Sequence, residues 1–153
     1  MIGRVLRALG VDTMSELDAG LRDLREFILE VGGDRIGAPC RDGDRVYVPL
    51  VARDGERYVL RIEPTVYLLE PPGCTFVDEQ YQPSVEAWPY PSPGGPFRSP
   101  SFICTPPTAE FYAHHPERTY RSGEGSLVHT VATVFAALHA PEYVGRWSRR
   151  GRR

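Results

Sequence analysis

In the stretch "RYVLRIEPTVYLLEPPGCTFVD", Arg57–Asp78, apolar side chains fall at Tyr58, Leu60 and Ile62 and the run stops at Pro64. A period of two places those three side chains on one face of a strand, and proline, with no amide to donate, ends the ladder. After a connection closed by Pro71-Pro72, a short apolar run over Cys74–Val77 predicts a further strand. On the N-terminal side, "RVYVPLVA" (45–52) has strand composition, and Arg53-Asp54-Gly55-Glu56 supplies the Asp-Gly of a hairpin turn. Pro49 inside that run predicts an amide gap at an edge or bulge. These three segments read as an antiparallel β-meander, in a fold expected to carry about four strands.

Helices are expected on both sides of the meander. Thr13 and Glu16 have the spacing of a capping box, and Leu17, Leu21, Leu24, Ile28 and Val31 recur at steps of three and four before Gly32-Gly33. Ser126 is placed to cap a helix carrying Leu127, Val131, Val134, Phe135 and Leu138 on one face and ending at Pro141, and "PEYVGRW" can begin a last short helix. Residues 78–101 are rich in proline, glycine and serine, yet Tyr81, Trp88, Tyr90 and Phe97 give them apolar surface to pack, so an ordered loop is expected. Residues 105–125 read as irregular. The fold class is α+β, with residues 1–153 as one domain and 147–153 as a flexible basic tail.

The 153 residues carry 18 basic and 20 acidic side chains, a formal charge of −2 that gives no electrostatic case for nucleic acid. No apolar run approaches a bilayer span, and "MIGRVLRALGV" lacks the features of a signal peptide, so a cytoplasmic protein with no membrane partner is expected. Three cysteines, Cys40, Cys74 and Cys104, are an odd number without paired spacing, which argues for reduced thiols rather than a disulfide framework or zinc ribbon. The chain contains neither lysine nor asparagine. A lysine-free chain offers an acyl-cysteine no side-chain amine, since arginine stays protonated and is a poor acceptor.

The order of elements resembles the ubiquitin-conjugating (E2, UBC-like) fold: helix, meander, irregular cysteine-bearing segment, C-terminal helices. Tyr58, Leu60, Ile62, Pro64, Tyr67, Pro71, Pro72 and Phe76 match the family's passage from strand to Pro-Pro, "FICT" with Cys104 resembles its catalytic stretch, and "SLVHTVATVFAALHAPEY" resembles the following helix. The resemblance covers roughly Thr13 to Trp147. It departs from the eukaryotic members at "AWPYPSPGG", where they carry His-Pro-Asn with an oxyanion-stabilising asparagine. The divergent bacterial E2-like proteins are closer. The resemblance implies a carrier that takes a ubiquitin-like protein as a thioester on Cys104 from an E1-like adenylating enzyme and passes it to a target amine, often beside a JAB-type peptidase. It implies no cofactor and no metal for this component.

Transthiolation needs a presented thiol, and Cys104, between an apolar run and a Pro-rich loop, is the candidate nucleophile. Cys74 is expected to be buried. His114 and His115 can act as base or oxyanion donor, and Tyr112, Thr105 or a backbone amide are further replacements for the missing asparagine. His129 and His139 are expected against solvent or the sheet. A non-catalytic E2-like binding module, with Cys104 packed inside, is the main alternative. A zinc site of Cys104, His114 or His115, and Cys74 or His129 is a poor ligand set. A Cys-His hydrolase lacks, in the sequence, an evident acidic group to orient the imidazole.

Overall fold

The computed structural model describes residues 13–99 and 101–150. Helix α1, Thr13–Phe27, ends in a π turn over Ile28–Gly32 and is followed by β1 (Cys40–Asp42), β2 (Arg45–Val51), β3 (Arg57–Glu63) and β4 (Gly73–Val77). These strands form one antiparallel sheet in chain order. A 3₁₀ turn at Val85–Ala87, the hairpin of β5 (Phe97–Arg98) and β6 (Phe102–Ile103), and helices α2 (Ala109–His114), α3 (Leu127–His139) and α4 (Trp147–Arg150) complete the α+β fold. No described helix is long and apolar enough to cross a membrane.

The alternation read in the sequence sets the core. Val46, Val48 and Leu50 of β2 and Tyr58, Leu60 and Ile62 of β3 lie buried in one apolar cluster with Cys74 and Phe76 of β4. The same cluster takes in Leu17, Leu21 and Leu24 of α1 and Leu127, Val131, Val134 and Leu138 of α3. Each such aliphatic or aromatic side chain, fully withdrawn from water, contributes about 1.5–3 kcal/mol before the entropy of ordering it is subtracted. The β2–β3 register, Val51 opposite Arg57, leaves the expected turn between them, with Gly55 at φ +88° and Glu56 N–H donating to Asp54 Oδ1.

Tyr67 joins the two large helices. Its ring is buried, its hydroxyl oxygen accepts the Leu127 N–H at 3.1 Å, and a methyl group on Gly20 of α1 would sit 2.3 Å from that oxygen. Glycine is therefore required at position 20 for close approach, and the tyrosine satisfies an amide at the start of α3.

Several expectations need correction. The last turn of α1 widens, so Gly32 faces inward and Val31 is 60% exposed instead of continuing the apolar stripe. The capping box rests on the Thr13 side chain, which lies outside the described residues. Pro49 sits in an interior strand, but β1 pairs only with Arg45–Tyr47, and beyond it the Pro49 carbonyl accepts from Gly37 N–H at 2.9 Å. Its amide gap thus faces residues 35–37, which bridge to β2 through Ile36 and Leu50. Residues 105–125 are not wholly irregular, because they contain α2. The final helix begins at Trp147, the last residue of "PEYVGRW", and Trp147 N–H donates to Trp88 O at 2.9 Å while its ring meets Tyr90. Residues 151–153 of the basic tail lie outside the described residues.

Candidate functional site

The segment around Cys104 is built from short pieces that pin one another. Phe97 and Ile103 are buried across the β5–β6 hairpin, and Cys104 N–H extends the ladder by donating to Pro96 O at 2.7 Å. Ile103 points inward, so its neighbour Cys104 turns toward the surface and is half-buried. Thr108 then closes the loop. Fully buried, it caps α2 by accepting Phe111 N–H at 3.2 Å, and its hydroxyl faces Ile103 O at 2.7 Å and Thr105 O at 2.9 Å. One side chain thus ties the strand before Cys104 to the helix after it.

Helix α2 stops because Pro116 disfavours helical geometry in the preceding residue. His115 becomes the C-cap, with its N–H bonded to Phe111 O and its ring against Phe111 at 4.4 Å. That position brings His115 Nε2 to 3.5 Å from Cys104 Sγ, while Nδ1 lies 3.2 Å from Glu117 Oε1. A carboxylate only accepts, so Nδ1 carries the hydrogen, and in the neutral imidazole Nε2 presents its lone pair to the thiol. The Glu117 carboxyl is held below the usual range, first by its own backbone N–H and then by His115. Glu117 corrects the expectation that no acidic group orients the imidazole.

The other named residues are engaged elsewhere. His114 stacks on Phe102 at 4.6 Å and its Nδ1 bonds to Glu110 O. Tyr112 donates to Glu124 Oε2 at 2.8 Å, and burial, then that carboxylate, pushes its phenol up to about 12. Thr105 Oγ1 faces Pro106 O at 3.4 Å, and the Cys104 amide donates to Pro96 O at 2.7 Å. Cys74 is buried as expected; burial first, then Glu110, raises its thiol well above the ordinary value. Cys40 is exposed on β1. His129 is exposed, and His139 reaches Val51 O at 3.0 Å, which ties α3 to the sheet. Among the described residues no three His, Cys, Asp or Glu side chains converge as metal ligands, so the zinc set named from the sequence is not assembled.

The "AWPYPSPGG" stretch is an ordered strap. Trp88 is buried edge-on to Phe76, and Tyr90 N–H donates to Gly145 O. Sequence reading missed Thr108, whose signal was its place before "AEF", and Glu117, whose signal was His-Pro-Glu spacing with a helix-ending proline between. No family model, curated protein or solved structure matches the chain.

Proposed function

We propose that this chain is a UBC-like acyl carrier acting in the cytoplasm: an E1-like enzyme delivers a ubiquitin-like C-terminus to Cys104, and the thioester is discharged to a target amine. The observation that carries the reading is a half-buried thiol, placed after the meander and before α3, with an imidazole 3.5 Å away. A base at that distance can take the thiol proton as an acyl donor approaches and later take one from an amine. Partial exposure of Cys104 favours this over the binding-module alternative, which requires the thiol to be packed inside. No metal or nucleotide enters the step, because adenylation belongs to the partner.

The test is incubation with the adenylating enzyme, ATP and the ubiquitin-like protein. A thiol-labile adduct is expected that Cys104→Ala abolishes and Cys40→Ala and Cys74→Ala retain. Discharge to an amine slows in His115→Gln and not in His114→Ala. An adduct surviving in Cys104→Ala rejects the site, and no adduct at all favours the binding module.

A further inference from the structure

An acylated Cys104 keeps its base. His115 Nε2 lies 3.5 Å from the sulfur, and the ring is oriented from behind by Glu117 at 3.2 Å. The two side chains are 39% and 66% exposed, so water reaches the imidazole without any lid having to move. The order nucleophile, base, orienting carboxylate is that of the self-contained acyl-transfer triads, in which one imidazole serves both half-reactions. With no lysine in the chain, water is the abundant competing nucleophile.

We propose that the site hydrolyses acyl thioesters: Cys104 is the nucleophile, His115 the general base and acid, and Glu117 the residue that positions His115. This rests on the same nucleophile as the carrier function and differs in the acceptor. In the first half-reaction the Cys104 sulfur attacks the carbonyl of R–CO–SR′ as its proton passes to His115 Nε2. The tetrahedral intermediate expels R′S⁻, which takes that proton and leaves as R′SH. In the second, His115 takes a proton from water, the hydroxide attacks the acyl-cysteine, and the Cys104 thiolate departs and is reprotonated from His115. The sum is R–CO–SR′ plus water giving R–COOH and R′SH, with no change of oxidation state.

The test uses the full chain in a Cys40→Ala background, with the mercaptoethanesulfonate thioester of acetyl-glycyl-glycine as probe and mass spectrometry counting free acid and protein adduct. Many equivalents of acid per enzyme are expected, none of them in Cys104→Ala. His115→Gln slows deacylation by about 10²-fold or more, the smallest usual worth of a positioned base, so the acyl-enzyme accumulates. The wild type shows a solvent deuterium isotope effect that this variant lacks. Glu117→Gln lowers kcat by about fivefold, the upper range for an exposed charged pair, with KM unchanged, and Glu117→Asp recovers part of the loss. Circular dichroism confirms that each variant is folded. Adding lysine amide separates the two readings. Acid alone, with no amide product, supports the hydrolase and removes the carrier; a stable adduct discharged only by lysine amide overturns the hydrolase and leaves the carrier. Failure to acylate Cys104 at all overturns the hydrolase.

Discussion

Replacing Thr108 by valine should cost about 3 kcal/mol of stability and separate Cys104 from His115. The residue is fully buried, and its hydroxyl serves Phe111 N–H at the start of α2 and Ile103 O at the end of β6. Losing the cap costs about 1 kcal/mol, and leaving the Ile103 carbonyl without its buried donor about 1–3 more. Valine has nearly the same shape, so little of this is a packing effect. Thr108→Ser keeps the hydroxyl and deletes one methyl group, and should cost only about 1 kcal/mol. A loss of this size falls within the 5–15 kcal/mol of a typical domain, so the valine variant still folds. Urea denaturation gives the stability difference, and iodoacetamide alkylation of Cys104, followed by peptide mapping, gives the functional one. The valine variant should alkylate several-fold more slowly, because the thiol loses its imidazole neighbour. If valine is tolerated within about 0.5 kcal/mol while serine is not, then the methyl group, not the hydroxyl, holds this corner together and the reasoning fails.

Gly20→Ala would add about 1 kcal/mol of helix propensity at an open position. Here the new methyl group would lie 2.3 Å from Tyr67 Oη, so a net loss of about 1–2 kcal/mol in thermal unfolding is expected, and a gain would contradict the close approach. Burial, first among its causes, raises the Tyr58 phenol from its ordinary value of 10.0 to about 12. The folded state therefore holds its proton where the unfolded state releases it. This contribution is intact below pH ~10 and is lost between pH ~10 and pH ~12, at up to about 1.4 kcal/mol per pH unit. Denaturation midpoints measured across that window should fall in the wild type and fall less steeply in Tyr58→Phe; equal slopes would contradict it.

The sheet was legible because its signals are local. Alternation over Tyr58, Leu60 and Ile62, the Asp-Gly turn and the flanking prolines each specify geometry within a few residues, and α1 and α3 carry their periodicity over several turns. What escaped was structure set by distant contacts. Strand β1, Cys40–Asp42, has no buried side chain and exists because β2 offers it an edge. Strands β5 and β6 are two residues each, too short for any pattern. Helix α2 is six residues, below the length that propensity can stabilise, and depends on Thr108 and on Phe111 packing. The candidate site followed the same division. Cys104 and the histidine pair were visible as residue types, but which histidine meets the thiol depends on where α2 ends, and Glu117 acts only because His115 is its C-cap.

The most direct measurement is a competition among the three cysteines of the native chain. The C-terminal thioester of a ubiquitin-fold protein is added in less than one equivalent, the reaction is quenched in acid, and the acyl group is located by peptide mapping. Exposure alone ranks Cys40 first, Cys104 second and buried Cys74 last. Activation by His115 predicts a different order, with Cys104 acylated several-fold ahead of Cys40, Cys74 unmodified, and the preference abolished in His115→Gln. Acylation that follows exposure, with Cys40 labelled first in both proteins, would contradict the assignment of Cys104 as the acyl acceptor.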